Sequence, residues 1–272
     1  VDPDTGATLA SAPMAASSSY SINPPTYYDG MVFVGLAGGR VQAFNAVTLE
    51  SLWVYQNENG GQPNCPITVC DGYLYTGFWT GEETAADFVC LTVTDEDPSQ
   101  THEAKTAAWR YTHTGGFYWA GAYACADYVI VGSDDGAAEG TAGTSALYLF
   151  DARSGAVLDK VNDCVGDIRS TICYDGQAFS FTTKGGYFYR VPVERDGDGW
   201  RFGELKSLAL GGASTSTPVV ANGRAYVGVQ GAGQFTQYSG HRIAVIDLEQ
   251  EAPQIAYTVP TQGYPQTSGL LT

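Results

Sequence analysis

A recurring turn constrains this chain more than any other feature of its sequence. An Asp or Asn followed by Gly lies between apolar runs at Asp29-Gly30, Asp71-Gly72, Asp175-Gly176 and Asn222-Gly223, and Asp127-Tyr128 takes the same place once more. Asp, Asn and Gly tolerate the positive φ that a tight hairpin turn demands, so each site predicts a β-hairpin. Successive turns are 42, 56, 48 and 47 residues apart. The chain is therefore predicted to repeat one β unit five times.

Each repeat contains four strand-like runs. In the first repeat they cover residues 25–28, 31–36, 40–45 and 51–56, and in the fifth residues 218–221, 224–229, 242–248 and 254–259. Four antiparallel strands in 40 to 50 residues are typical of a β-propeller blade. Such a sheet cannot bury both faces alone, so successive blades must pack around a shared axis. We predict one all-β domain over residues 1–272, a β-propeller with five complete blades; a sandwich or two unrelated β domains would not explain the sustained interval.

The two ends of the chain carry fragments of the same pattern. DPDTG at residues 2–6 is similar to the turn before a fourth strand, and residues 7–15 to that outermost strand. Residues 265–272 take the place of an innermost strand. Because these two strands cannot pair without the two between them, we expect natural sequence beyond Thr272. We expect strands from both ends to form one shared blade that closes a propeller of six or more blades. Such closure would also remove exposed sheet edges.

The composition excludes some classes of partner. Of the 272 residues, 44% are hydrophobic and 15% charged, which is ample for a packed interior. The chain has 29 acidic and 13 basic residues and a net charge of -16, so nucleic acid is not an expected partner. No apolar run is long enough to predict a transmembrane segment. The low lysine content and the abundance of Tyr, Gly, Ser and Thr favour an extracellular, cell-surface or periplasmic location.

The cysteines show no metal-binding spacing. The six residues are Cys65, Cys70, Cys90, Cys125, Cys164 and Cys173, and no C-x-x-C pair occurs among them. The three histidines lie far apart, so a zinc site is not predicted. We expect free, buried thiols, since small apolar cysteines are common in cores. A disulfide between Cys65 and Cys164 is the alternative, because both precede strands in loops.

One repeated motif resembles a known family. Residues 43–48 read AFNAVT and are followed by Leu52-Trp53, and residues 150–155 read FDARSG without a following Trp. In the second repeat Trp109 takes the position of this Trp, after the insertion TDEDPSQTHEAKT. This pattern resembles the repeats of pyrroloquinoline quinone (PQQ)-type propellers, the quinoprotein alcohol dehydrogenase-like family, which read Ala-x-Asp-x-x-Thr-Gly before a strand with Trp. The resemblance covers nearly the whole chain and implies a propeller fold.

The resemblance does not extend to the family's cofactor site. Quinone-dependent members carry an adjacent Cys-Cys disulfide, a Trp floor under the cofactor, a bound calcium and an aspartate base. No two cysteines are adjacent here, so we expect no PQQ and name no catalytic residue. The segment ERDGDGWRFGEL, residues 194–205, is similar to the start of a calcium loop, but Leu205 stands where an EF-hand has glutamate. A solvated turn explains it; Asp196 and Asp198 are the remaining candidate calcium ligands.

Loop length predicts which surface binds. In a propeller the second-to-third and fourth-to-first strand connections emerge on one face, and here the former are long at residues 79–87, 133–144 and 230–241. Long loops on a rigid scaffold are common binding sites. Exposed aromatic planes there would stack on sugars or insert into a protein; alternatively, Tyr118 and Trp119 are core residues between blades. The candidate residues on this face are Trp79, Tyr118, Trp119, Asp134, Asp135, Arg169, Tyr238, His241 and Tyr264.

These observations favour a non-catalytic scaffold. We expect an exported or cell-surface propeller that binds a protein or glycan partner through its long-loop face and needs no cofactor. A structural module similar to outer-membrane assembly lipoproteins is one alternative. A quinone-dependent dehydrogenase or a sugar lyase is the other.

Overall fold

The computed structural model describes residues 1–19, 21–141, 143–234 and 237–270. Within these ranges it contains 23 β-strands and no helix, and therefore no helix that spans a membrane. Twenty strands form five four-stranded antiparallel sheets, each with its strands in chain order. The fold is all-β, as the turn pattern predicted.

The sheets follow one another along the chain. The first contains β1 (Thr26–Tyr28), β2 (Met31–Leu36), β3 (Arg40–Asn45) and β4 (Ser51–Gln56), and the second β5 (Thr68–Cys70), β6 (Tyr73–Gly77), β7 (Ala85–Thr92) and β9 (Trp109–Thr114). The third contains β10 (Tyr123–Ala124), β11 (Tyr128–Gly132), β12 (Thr144–Asp151) and β13 (Val157–Val165). The fourth contains β14 (Cys173–Tyr174), β15 (Phe179–Thr182), β16 (Tyr187–Val191) and β19 (Lys206–Ala209). The fifth contains β20 (Val219–Ala221), β21 (Arg224–Val229), β22 (Arg242–Asp247) and β23 (Gln254–Pro260).

Apolar clusters lie between consecutive sheets. Phe33 and Trp53 of the first sheet pack with Leu74 and Val89 of the second, and further clusters join the second to the third, the third to the fourth and the fourth to the fifth sheet. Because each sheet covers a face of the next, every internal sheet buries both of its faces. This is the stacking that the repeat predicted.

The recurring tryptophans join neighbouring sheets. Trp53 Nε1 in β4 donates to the carbonyl of Val93, which follows the third strand of the second sheet, at 3.2 Å. Trp109 Nε1 in β9 donates to the carbonyl of Ala152, in the same position of the third sheet, at 3.0 Å. A buried indole needs such an acceptor. The repeated Trp thus links a fourth strand to the next repeat.

Two insertions add strands to the regular pattern, and the first of them extends the first sheet to five strands. β8 (Glu103–Lys105) comes from the insertion before β9 and pairs in parallel with β4 of the preceding sheet. The hairpin of β17 (Val193–Asp196) and β18 (Gly199–Phe202) interrupts the fourth sheet and contacts β13 of the third, where the Phe202 amide donates to Asp159 Oδ2 at 2.8 Å. Both insertions therefore cover the outer strand of the preceding sheet.

The predicted partial strands at the two ends are not formed. Residues 7–15 and 265–270 have no strand, and the rest of the second segment lies outside the described residues. A ladder needs neighbouring strands to pair with, and those of a sixth blade are not among the described elements. Residues 266 and 267 instead accept side-chain hydrogen bonds from Thr215 and Ser216, beside the fifth sheet. The total number of blades and the closure of the propeller stay predictions.

All six cysteines are free. Cys65, Cys90 and Cys164 are buried, whereas Cys70, Cys125 and Cys173 are half-buried. Burial raises the pKa of Cys65 to about 12 and likewise that of Cys164 to about 12. The alternative of a Cys65–Cys164 disulfide was wrong, because Cys65 Sγ lies in the link between the first two sheets, where it contacts the Ala120 carbonyl, and Cys164 lies in β13.

Candidate functional site

Loops of unequal length define one face of the molecule. The connections between the second and third strands span residues 78–84, 133–143 and 230–241 in the second, third and fifth sheets, but only 37–39 and 183–186 in the first and fourth. We call this surface the long-loop face. Because the short connection of the fourth sheet lies between two long ones, a cleft opens above that sheet.

A buried arginine ties three segments of the long-loop face together. The Arg169 side chain, in the link from the third to the fourth sheet, is 7% exposed. Its guanidinium donates to both oxygens of Asp134, with Nη2 2.6 Å from Oδ2, and to Glu82 Oε2 at 2.9 Å. Asp167 Oδ2 lies 3.2 Å from the same nitrogen. The carboxylates belong to two long loops and a link, so Arg169 holds these segments in register.

The charges in this cluster affect one another strongly. Burial raises the pKa of Asp134 well above its ordinary value, and the facing Arg169 guanidinium opposes that effect. Burial also acts to raise the pKa of Asp167, but Arg169 and Lys184 outweigh it, so that this pKa lies below its ordinary value. Lys184 Nζ is 3.0 Å from Asp167 Oδ2. Burial therefore dominates the pKa of Asp134, whereas the neighbouring cations dominate the pKa of Asp167.

The three carboxylates alone would suit a cation. Oxygen atoms of Glu82, Asp134 and Asp167 lie within 4.8 Å of one another. Arg169 Nη2, however, is within 3.2 Å of an oxygen of each. The guanidinium thus occupies the position that a metal ion would take, and we assign no metal to this cluster.

The calcium candidates lie elsewhere. Asp196 ends β17, pairs with Gly199 across the hairpin and is exposed, as is Asp198. Among the described residues, neither belongs to a group of three close metal-ligating side chains. Their position agrees with the predicted solvated turn, here the tip of the β17–β18 hairpin.

Three predicted aromatic residues stack on one another beside Arg169. The ring centroids of Trp79 and Tyr118 are 4.6 Å apart, and those of Tyr118 and Trp119 are 4.9 Å apart. The Arg169 guanidinium carbon lies 4.7 Å from the Tyr118 ring, within the range of a cation–π contact. Both tryptophans are half-buried. The aromatic planes expected to be free for a ligand are therefore largely engaged with each other.

The stack does not form the core between sheets either. That role belongs to Phe117, which is fully buried in the cluster between the second and third sheets. Trp119 has φ = +61°, a left-handed conformation that is costly for a bulky side chain. Nε1 of Trp79 and of Trp119 is shielded and has no hydrogen-bond partner among the described residues. Strain and an unsatisfied donor in one place mark this stack as a local exception to good packing.

The remaining aromatic candidates lie beside the fifth sheet. Tyr264 is 5.4 Å from Tyr238 and 5.7 Å from His241, measured between ring centroids. His241 Nδ1 is 2.6 Å from the Gln230 carbonyl. Residues 235 and 236 of the same loop lie outside the described residues. The nine predicted positions thus form two groups on one face.

A cavity of about 730 Å³ lies between these groups, above the fourth sheet. Asp135 and Glu139 line it from the loop of the third sheet, and Gln234 and Tyr238 from the loop of the fifth. Its floor contains Val165, Gly166, Asp167, Lys184, Gly185 and Ala213. We call this cavity the blade-4 cleft.

Sequence reasoning missed four charged residues of this face: Glu82, Glu139, Asp167 and Lys184. Glu82 and Glu139 lie inside the predicted long loops, so loop membership was a usable signal for them. Asp167 lies in the link between the third and fourth sheets, and Lys184 lies in the short connection of the fourth sheet. Only spatial proximity to Arg169 and to each other distinguishes them from other surface charges.

Comparison with known proteins supports the fold. No protein-family model matches the chain, and no curated protein matches its sequence. Among the solved structures it resembles is the crystal structure of BamB from Moraxella catarrhalis, with a TM-score of 0.55 and 15% sequence identity. The match covers 92% of this chain and 80% of that one. The likeness supports a PQQ-like β-propeller fold. At this identity it carries no information on individual site residues.

Proposed function

We propose that this chain is a non-catalytic propeller scaffold that acts outside the cytoplasm and binds a protein partner through its long-loop face. The observation that carries the proposal is the arrangement of three long loops on one face, where Arg169 joins two of them and a charged cleft lies between the second and the third. Variable loops on a rigid β scaffold are a common basis for recognition. No cofactor enters this proposal.

The reactive side chains at the base of the loops are engaged in structural contacts, which supports a scaffold. The His113 ring lies 3.1 Å from the Asp134 carbonyl through Nε2 and 2.9 Å from the Tyr148 hydroxyl through Nδ1. Arg169 is saturated by carboxylates. Groups held this way position loops, whereas a general base needs a free nitrogen or oxygen facing its substrate.

A protein partner fits better than a glycan. Sugar rings are bound by stacking on free aromatic faces, yet Tyr118 stacks with Trp79 and Trp119 and lies against the Arg169 guanidinium. The blade-4 cleft presents charged side chains and backbone instead. Tyr238 also lines this cleft, and tyrosine is enriched at protein interfaces.

Site-specific photo-crosslinking in the native host tests the proposal. A benzophenone side chain would replace Glu83 or Gln234, both exposed on the long-loop face, or Val47, which is 85% exposed in a turn on the opposite face. We expect one discrete protein adduct from the first two positions and none from Val47. Adducts that stain as carbohydrate would indicate a glycan. Equal crosslinking from Val47, or a purely cytosolic location on fractionation, would contradict the proposal.

The likeness to BamB favours a second candidate, a structural module of an envelope assembly complex. The match extends over 92% of this chain, so the whole arrangement of sheets is shared and not one repeat alone. Under this proposal the protein would copurify in constant proportion with an outer-membrane assembly factor of its host. A host without an outer membrane would remove this candidate and leave the first intact.

A further inference from the structure

The blade-4 cleft has a shape and a charge that specify a ligand class. We infer that it binds an extended, basic segment of a protein, whose Lys or Arg side chains lie among the carboxylates of Asp135, Glu139 and Asp167. The inference rests on the proposed function of the long-loop face and names the chemistry of the partner. Three features of the cleft carry it: its floor, its charge and its walls.

Part of the floor is backbone, because Gly166 and Gly185 line it beside the side chains of Asp167 and Lys184. A Cβ on Gly166 would collide with the backbone of Gly185, one on Gly186 would lie 2.9 Å from the Gly212 carbonyl oxygen, and one on Gly212 would lie 2.6 Å from Gly231. These contacts run along the base of the face from the third-to-fourth link to the fifth sheet. Glycines at these positions let the neighbouring loops pack backbone to backbone beneath the cleft. An extended chain can lie along this floor between the long loops of the third and fifth sheets.

The cleft and its surroundings carry an excess of negative charge. Asp135, Glu139 and Asp167 line the cavity together with one cation, Lys184, which is already paired with Asp167 at 3.0 Å. The adjacent Arg169 is buried and surrounded by carboxylates. In the part of the chain that the structure describes, Glu139 forms no ion pair, and it is exposed. A basic ligand would complete the charge balance, whereas an anionic one would face repulsion.

The wall on the side of the third sheet is braced from within. Asp135 accepts hydrogen bonds from the amides of Ala137 and Gly143, at 2.9 and 3.1 Å, and its own amide donates to Asp167 Oδ1 at 3.0 Å. The loop that presents Glu139 is therefore tied both to itself and to the floor. Preorganised charges of this kind bind without the cost of ordering the loop on contact.

Fluorescence anisotropy with synthetic peptides tests the inference. The probe is a labelled ten-residue peptide with three lysines spaced by Gly and Ser, and its matched controls carry glutamine or glutamate in place of lysine. We expect the lysine peptide to bind the full chain more tightly than the glutamine peptide, and the glutamate peptide not to bind. The preference should shrink at 0.5 M salt, where the screening length is about 4 Å.

Variants at Glu139 locate the site. Because an exposed charge pair is weak, Glu139→Gln should raise the Kd of the lysine peptide about two- to fivefold, which corresponds to about 0.4–1 kcal/mol, and Glu139→Lys should raise it further. Glu249→Gln and Glu249→Lys are the matched controls, since Glu249 is exposed in the turn between β22 and β23 on the opposite face. Circular dichroism checks that each variant is folded.

The outcomes separate this inference from the proposed function. Equal affinity for the lysine and glutamine peptides, or equal effects of the substitutions at Glu139 and Glu249, would overturn the inference. Crosslinking from Gln234 to a protein partner would then still support the scaffold. Binding of the lysine peptide that depends on Glu139, without any adduct from the long-loop face in the host, would instead contradict the proposed function alone.

Discussion

Gly77 lies directly against Phe117, so that a Cβ atom on Gly77 would be 2.5 Å from the Cβ of Phe117. Gly77 ends β6, and Phe117 belongs to the link that leads to the next sheet. The same relationship recurs between Gly35 and Pro63, where the distance would be 2.9 Å, and it joins other second strands to the links that follow them. A glycine at or next to the end of these second strands thus leaves room for the chain to cross to the next sheet.

Replacing Gly77 with alanine should destabilise the protein. Phe117 is fully buried and has no free space to move into, so the added methyl group should cost about 1–3 kcal/mol of unfolding free energy. Urea denaturation measures the change. Gly263→Ala is the control, because a Cβ there meets nothing within 4 Å, and it should leave the stability unchanged or slightly raised. A Gly77→Ala midpoint equal to that of the parent would refute the close contact.

Replacing Arg169 should lower the free energy of unfolding far more than replacing a surface arginine. Arg169→Met leaves the buried Asp134 without its cation and Asp167 with Lys184 alone, and loss of one partner from a buried ion pair costs about 3–5 kcal/mol. Asp134→Asn in the same variant should restore part of the loss, since it removes one uncompensated charge. Arg110→Met, at an exposed pair with Glu58, should have little effect. Equal destabilisation by the two arginine substitutions would rule out a bracing role for Arg169.

The stability of the protein should fall as mildly acidic pH protonates His113. Burial lowers the pKa of His113 in the folded state, so the unfolded chain takes up this proton more readily. The neutral ring contributes stability above about pH 6.5, the ordinary value for an unfolded chain, and the contribution is lost as the pH falls from there toward the lower folded pKa. Denaturant titrations at several pH values would show the slope. His113→Gln should flatten it between pH 7 and 5.5, and identical profiles would contradict the assignment.

The buried thiols should resist modification until the protein unfolds. Burial raises the pKa of Cys65, Cys90 and Cys164 to about 12 each, and a thiol reacts as its thiolate. At pH 8, iodoacetamide followed by mass spectrometry should label half-buried Cys125 well before these three, and all six cysteines should react in guanidinium. Labelling of Cys65 at the rate of Cys125 would show that the link opens. Fewer than six reactive thiols after unfolding would reveal a disulfide.

The positions of the strands could be predicted closely because their determinants are local. β2, β3, β4 and β21 have the bounds expected from the turn residues and from apolar alternation. The prediction of strands at the two ends of the chain was wrong, because a strand forms only where a neighbouring strand pairs with it. The candidate site was predicted in part: Trp79, Tyr118, Trp119, Asp134 and Arg169 come together, since the repeat determines which connections share a face. The partners Glu82, Asp167 and Lys184 were missed, because their contacts join residues from different repeats.

The sequence by itself determined the repeat, the all-β class and the face on which the long loops lie, since turn chemistry and strand alternation act over a few residues. The tertiary structure alone decided that the aromatic side chains stack on each other, that Arg169 fills the space between three carboxylates, and that a glycine-floored cleft opens above the fourth sheet. Those outcomes depend on which repeats are neighbours and how closely their backbones approach. Packing between sheets determines both.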